Sequence, residues 1–146
     1  MQWPVTAGGS PARQQFFLPF PKILAWIRIR QRRSCGFGAG ISKTGNLCGA
    51  VSGAILVIGL KYGKTVANDD AATEKTRALV RQFIHEFEEK NGSINCTDLL
   101  GYNLGSPEEF ARARDQGLFV TKCTPLVRDA ADILEKIVHA DAYGKP

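Results

Sequence analysis

The stretch "NLCGAVSGAILVIGLKYGK", residues 46–64, is almost wholly apolar and decides the fold. Asn46 is a good N-cap, so the stretch predicts a helix over about Leu47–Tyr62 that ends at Gly63. A helix that is apolar all round is the central, buried helix of a protein in water. Its glycines would each weaken it by about 1 kcal/mol, unless small residues let neighbouring helices come close. We therefore expect close packing around its N-terminal half.

The same run is too short for a membrane span. It extends from Leu47 to Leu60, contains Ser52 and stops at Lys61, whereas a bilayer needs about 18 apolar residues or more. A secretory signal places its positive charges before a hydrophobic stretch, but here four arginines follow the apolar residues 16–27. We therefore expect a cytoplasmic protein, with a secreted domain holding two disulfides as the alternative.

Local signals predict the remaining helices. One runs from about Asp70 to Lys90, a short turn covers Cys96–Leu100, "SPEE" at 106–109 opens a third segment, and Thr124 caps a last helix with Pro125 at its first position. The apolar stripes expected on the two long helices are Leu79, Val80, Phe83, Ile84 and Phe87, and Val127, Ala130, Ala131, Leu134, Ile137 and Val138. No convincing strand or repeat occurs. The predicted fold class is all-α, a compact bundle of about five helices around a buried Gly/Ala-rich central helix.

Residues 1–34 differ from the rest in composition. They carry six basic residues, no acid, four prolines and five aromatic residues, whereas the remainder is close to neutral. Contact of this segment with nucleic acid or an anionic membrane is one interpretation, and a poorly ordered tail before a domain over 35–146 is the favoured one. "GFGAG", residues 36–40, predicts a loop or a helix end that another backbone approaches. The next residues, "ISKTGN" at 41–46, lack the spacing of a phosphate-binding loop.

Three of the four cysteines share a local context. Cys48, Cys96 and Cys123 are each predicted at or beside a helix N-terminus, where backbone N–H groups and the helix dipole favour a thiolate. Thiolate is the form that attacks disulfides and binds metals. These three residues are therefore the candidate catalytic residues, and the same three with Cys35 are the candidate metal ligands.

Other interpretations of the cysteines stay open. Cysteine is among the most buried residue types, so inert thiols in the core of a non-catalytic helical binding module are the alternative. The chain has no CxxC, and the spacing does not distinguish a metal site from a disulfide. Both histidines, His85 and His139, suit exposed helix positions, so an acid–base or triad enzyme is not indicated.

The motif residues carry a family resemblance. "CGAVSG" at 48–53 comes after the glycine-rich lead-in, "GSINCTDLLGYNL" at 92–104 holds the next cysteine, and Cys123 comes last. This order over about residues 36–138 resembles the redox-active family named for its C, GCAxxG, C, C cysteine pattern. Cys48 matches the motif cysteine, Cys96 the one before "DLLG", and Cys123 the last.

The resemblance implies a helical domain whose clustered cysteines are redox-active or bind a metal or iron–sulfur cluster, working with a redox partner protein. Some members are fused to haem-bearing segments, but no CxxCH attachment motif occurs here. The family's first cysteine lies on a helix upstream of the glycine-rich loop, and residues 1–34 contain none. Cys35 adjoins the loop and is not the aligned counterpart of that cysteine. Either Cys35 substitutes for it in space, or the site has three thiols, or the N-terminal segment is an altered or mis-started version of the usual one. The function implied is electron or thiol–disulfide transfer, with Lys122 beside the last cysteine to support a thiolate.

Overall fold

The computed structural model describes residues 35–143, with side chains from 36 to 140. The predictions for residues 1–34 lie outside the described residues. After a short 3-10 turn at Cys35–Phe37, the described part contains six α-helices and one isolated β-bridge but no β-strand. The helices are α1 (Gly49–Tyr62), α2 (Asp70–Asn91), α3 (Cys96–Leu100), α4 (Pro107–Asp115), α5 (Leu118–Thr121) and α6 (Cys123–Tyr143).

The long helices α1, α2 and α6 pack against one another and confirm the all-α prediction. Lys90 near the end of α2 pairs with Asp129 near the start of α6 at 2.7 Å, so these two helices run antiparallel. Lys61 Nζ near the end of α1 donates to the Val138 carbonyl of α6 at 3.0 Å, so α1 and α6 run parallel. The starts of α1 and α6 therefore lie at the same end of the bundle.

Helix α2 has the boundaries and the buried face that its sequence predicts. Asp69 accepts a hydrogen bond from the N–H of Ala72 at 2.9 Å and caps the helix, and Gly92 ends it in a left-handed conformation. Phe83 and Phe87 are fully buried, with ring centroids 6.0 Å apart. Signals that lie within a few residues of a helix end thus sufficed here.

Helix α6 is rotated relative to its predicted stripe. Ala130 and Ile137 are buried as predicted, but Val127 is 56% exposed, and Leu126 and Ile133 pack in the core instead. Either Leu126 or Val127 could face the core at this point of the helix. Leu126 is the larger side chain, so its burial removes more apolar surface from water. The helix also begins at Cys123, two residues before the predicted first position at Pro125.

The start of α1 differs from its prediction because of a tertiary contact. Leu47 is extended and forms an antiparallel bridge with Asn95, so it is not helical. Cys48 is the N-cap in place of Asn46, and the helix begins at Gly49. The cysteine expected in the first turn therefore stands at the boundary of the helix.

One side of α1 is open, contrary to the expectation of all-round burial. Val51 and Ile58 are fully buried, whereas Leu56 is 50% and Leu60 81% exposed. The helix is still the central one, since it packs against both α2 and α6. None of the described helices has the length and apolar character of a membrane span.

The glycine-rich segment before α1 is a loop closely approached by backbone, as predicted. Five consecutive residues from Ala39 to Lys43 have positive φ, and four of them are not glycine, with Ile41 at 61°. A left-handed conformation costs roughly 1–2 kcal/mol per non-glycine residue, so the surrounding structure must hold it. The loop lies against α1: a Cβ on Gly49 would be 3.1 Å from the Phe37 carbonyl oxygen.

Candidate functional site

The Leu47–Asn95 bridge brings two of the cysteines together. Cys48 N–H donates to the Ile94 carbonyl and Cys96 N–H donates to the Asn46 carbonyl, both at 2.8 Å. Because side chains alternate across an extended segment, residues 48 and 96, each one past the bridge, lie on the same side of it. Helices α1 and α3 begin within two residues of the bridged residues, so their first turns are neighbours.

The Cys48 sulfur is held in an environment that favours a thiolate. A hydrogen bond from the Cys96 thiol is the main cause that lowers the pKa of Cys48 to about 6, and the backbone N–H groups of Ala50 and Val51 lower it further. Burial, with Cys48 only 7% exposed, acts in the opposite direction. The sulfur makes no conventional capping hydrogen bond, and these amide contacts are the weaker kind that sulfur accepts.

Cys96 is the protonated partner. Its pKa is raised, first because its thiol donates the hydrogen bond to Cys48, then because the residue is buried and faces the negative Cys48 sulfur. It is 6% exposed and is the first residue of α3, after Asn95 at the N-cap. The two residues are free thiols, and the arrangement holds one proton between two sulfurs.

Cys123 lies at the outer side of the same cluster. It is the first residue of α6 and is half-buried against the hydrophobic core that contains Cys48 and Cys96. Its pKa is raised, mainly by burial and also by the charge of Cys48. All three predicted residues are thus at helix starts at one end of the bundle. Lys122 beside it is exposed, and Cys96 and the amides lower the Cys48 pKa instead.

The predicted metal ligands are Cys48, Cys96 and Cys123 together with Cys35. Among side chains 36–140 no group of three or more His, Cys, Asp or Glu is arranged to hold a metal ion. Cys35 opens the 3-10 turn, but its side chain lies outside the described residues, so its place among metal ligands stays a prediction.

The histidines and the surface groove lie away from the thiols. His85 pairs with Glu89 at 3.4 Å and His139 with Glu135 at 3.5 Å, each four residues apart on an exposed helix face. A groove of about 690 Å³ between α2 and α6 is lined by charged residues of these faces and by no cysteine. An open groove walled by solvated charges has the character of ordinary helix surface rather than of a ligand pocket.

The contacts that bring the thiols together were not foreseen from the sequence. The bridge partner of Leu47 is 48 residues away, and the loop before α1 carries no charge pattern that marks its role. The Gly45 carbonyl accepts from Thr97 N–H at 2.9 Å, which ties that loop to α3. Gly45 has φ of 75°, and a Cβ there would clash with the Thr97 hydroxyl, so glycine is the signal that could have located this contact.

Comparison with known proteins gives one family. The model of the family described as "Putative redox-active protein (C_GCAxxG_C_C)" matches residues 29–137, which include Cys48, Cys96 and Cys123. No curated protein and no solved structure is similar enough to count as a match. Since the matched region covers most of the chain, this protein belongs to the C_GCAxxG_C_C family of redox-active proteins.

Proposed function

We propose that Cys48 and Cys96 form a dithiol–disulfide couple, and that the protein transfers two electrons by thiol–disulfide exchange. The observation that carries this proposal is the Leu47–Asn95 bridge, which places Cys48 and Cys96 on the same side at the joined starts of α1 and α3. The hydrogen bond from the Cys96 thiol to Cys48 supports it. It keeps Cys48 ionised near neutral pH, and the thiolate is the nucleophile in exchange. Cys96 is beside it, where a resolving thiol is needed.

The reaction balances with a disulfide as the oxidant. The substrate R–S–S–R accepts two electrons and leaves as two thiols, and the Cys48 and Cys96 sulfurs join in a new S–S bond. Cys96 supplies the proton of one product thiol, and solvent supplies the other, which is the proton that Cys48 had lost on ionising. In the reverse direction a dithiol reductant restores the pair. The proposal uses only groups that the described residues supply.

An iron–sulfur or other metal version of the function requires more ligands than the described residues bring together. Such a centre needs Cys35 or another group to join the thiols. Iron content therefore distinguishes the two versions. The third possible function is that of a binding module, in which the thiols are inert core residues.

The test is a redox titration of the full chain after anaerobic purification. The protein is equilibrated with mixtures of reduced and oxidised dithiothreitol, quenched by alkylation and mapped by mass spectrometry. We expect one two-electron transition that links Cys48 to Cys96 and is lost in Cys48→Ser and Cys96→Ser. Val66→Ser, which changes an exposed residue beyond the far end of α1, serves as the matched control.

Two results would overturn the proposal. A brown product with stoichiometric iron that Cys48→Ser cannot bind would favour a cluster. Metal-free thiols that stay reduced throughout the titration would favour the binding module. Helical circular dichroism of each variant, and a second set with alanine at the same positions, separates loss of the couple from loss of folding.

A further inference from the structure

The three thiols differ in their access to solvent. Cys48 and Cys96 are 7% and 6% exposed, whereas Cys123 is only half-buried. Exchange needs the attacking sulfur in line with the S–S bond that breaks, so the incoming disulfide must come within bonding distance of it. Other groups of the protein cover the Cys48–Cys96 pair, so a substrate larger than a small oxidant does not reach these sulfurs directly. The exposed part of the cluster is the Cys123 side.

Cys123 lies at the edge of the buried face of α6. Leu126 and Ala130, three and seven residues further on, are 9% and 4% exposed and define that face. At about 100° per residue, Cys123 is at its border, next to Val127, which is 56% exposed. Val120, one turn before Cys123, is 72% exposed. The residues on either side of Cys123 along the chain, Val120 near the end of α5 and Val127 on α6, are thus exposed apolar residues.

Cys123 also interacts with the buried pair. It packs against the core cluster that includes Cys48 and Cys96, and the charge on Cys48 acts on its thiol. The charge of Cys123 in turn contributes to the raised pKa of Cys96. Cys123 thus packs against the core cluster that holds the couple and is more exposed than either of the other two thiols.

We infer that Cys123 is the thiol that exchanges with the substrate disulfide and passes its oxidation inward to the Cys48–Cys96 couple. This inference rests on the proposed function and assigns its substrate class: disulfides presented from outside, either of a low-molecular-weight thiol or of a protein. The family match and the helix positions do not by themselves distinguish the three cysteines in this way.

The relay has three exchange steps. Cys123, whose raised pKa keeps it a thiol in the resting protein, gives up its proton as its sulfur attacks R–S–S–R. A mixed disulfide forms, and R–S⁻ leaves and takes that proton. The Cys48 thiolate attacks the Cys123 sulfur, and the second R–S⁻ leaves. Cys96 then attacks the Cys48 sulfur and gives its proton to the second product thiol. Cys123 is released as a thiolate and regains a proton from solvent, the one that Cys48 had lost on ionising.

Trapping each intermediate tests the relay. With glutathione disulfide as the probe, we expect Cys48→Ser to accumulate a stable glutathione adduct on Cys123. Under the same conditions Cys96→Ser should accumulate a Cys48–Cys123 disulfide. Both species are identified by mass spectrometry after acid quenching. An adduct that forms on Cys48 in Cys123→Ser as fast as the couple is oxidised in the unchanged protein would overturn the inference.

The comparison of two oxidants separates this inference from the proposed function. Hydrogen peroxide is small enough to reach a buried thiolate, so the ratio of the disulfide-driven to the peroxide-driven rate of Cys48–Cys96 formation should fall about tenfold or more in Cys123→Ser. An unchanged ratio with the couple still forming would overturn the entry role of Cys123 alone. Failure of the couple to form with either oxidant in the unchanged protein would overturn the proposed function.

Two disulfide oxidants in the same experiment decide whether the substrate disulfide belongs to a protein or to a low-molecular-weight thiol. Oxidised thioredoxin represents a protein disulfide, and glutathione disulfide a low-molecular-weight one. Val120→Ser with Val127→Ser should slow only the thioredoxin reaction if a protein surface contacts these valines, with Val66→Ser, also an exposed valine, as the matched control. Equal rates in all variants together with faster oxidation by glutathione disulfide would assign the low-molecular-weight source. No oxidation of Cys123 by either probe would overturn the inference.

Discussion

Cys48 and Cys96 acquire opposite acidities from one shared hydrogen bond. Burial alone would raise the pKa of both thiols, because a low-dielectric environment disfavours the charged form. The hydrogen bond breaks this symmetry: the acceptor Cys48 has its pKa lowered to about 6, and the donor Cys96 has its pKa raised. The backbone amides at the start of α1 act on both sulfurs: the N–H groups of Ala50 and Val51 lower the pKa of Cys48, and that of Gly49 lowers the pKa of Cys96. Cys48, the N-cap of that helix, thus has two amide contacts and Cys96 has one.

Removal of the donor should therefore make Cys48 an ordinary thiol. In Cys96→Ala we expect the lowest thiol titration step to move from about 6 toward the ordinary value of 9.0. Thiolate absorbance in the ultraviolet, followed against pH under reducing conditions, measures this step. A midpoint that stays near 6 would mean that the amides alone set the pKa.

Cys123→Ala is the matched control for this titration. It also removes one thiol near the site, but Cys123 gives no hydrogen bond that lowers the pKa of Cys48. Its lowest step should stay near 6. A rise equal to that in Cys96→Ala would contradict the assigned donor.

At the scale of single elements, helix ends set by neighbouring residues could be predicted from the sequence, whereas those set by tertiary contacts could not. Ser106 and Gly92 mark their helix ends through contacts within a few residues. The predicted helix start at residues 106–109 and the predicted helix end near Lys90 agree with them. Leu47 looks helical by composition, but its bridge to Asn95 keeps it extended, and a contact across 48 residues leaves no local signal. Close packing was expected at the glycines in the first half of α1. Among the glycines within this helix it occurs only at Gly49, where the Phe37 carbonyl lies close, and not at Gly53 or Gly59.

The glycines of α1 give a direct test of this division. A Cβ at Gly53 or Gly59 would meet nothing within 4 Å, so Gly53→Ala and Gly59→Ala should each raise the free energy of unfolding by about 0.5–1 kcal/mol. Gly49→Ala should gain less or lose stability, since its Cβ would press on the Phe37 carbonyl at 3.1 Å. Urea denaturation measures all three. Equal gains at the three positions would show that the loop moves aside at no cost.

At the scale of the whole molecule, the topology assembles the site. Cys48, Cys96 and Cys123 come from three separate helix starts, and the parallel arrangement of α1 and α6 puts two of these starts at one end of the bundle. The sequence predicted the residue types and their helix positions. It did not predict which two would share a proton, because that depends on the bridge between distant segments and on the rotation of α6.

The perturbed thiols should give the stability of the reduced protein a maximum at mildly alkaline pH. The folded-state pKa of Cys48 is about 6 and its ordinary value is 9.0, so between these values the unfolded chain binds more protons than the native state. Stability then rises with pH across this window, and the contribution is lost as pH falls through about 6. Cys96 and Cys123 have raised pKa values, so above about 9 the unfolded chain loses protons that the native state keeps, and stability falls.

Urea midpoints measured against pH in a strong reductant test this profile. Cys48→Ser should remove the rise between pH 6 and 9, because the serine hydroxyl does not ionise in that range. The fall above pH 9 should become smaller but remain, because burial still raises the pKa of Cys96 and Cys123 after the thiolate is gone. Val66→Ser, remote from the thiols and 63% exposed, should keep the profile of the unchanged protein. If the profiles of the unchanged protein and Cys48→Ser coincide between pH 6 and 9, the native Cys48 thiol is not ionised there, and the nucleophile of the couple must be sought at another sulfur.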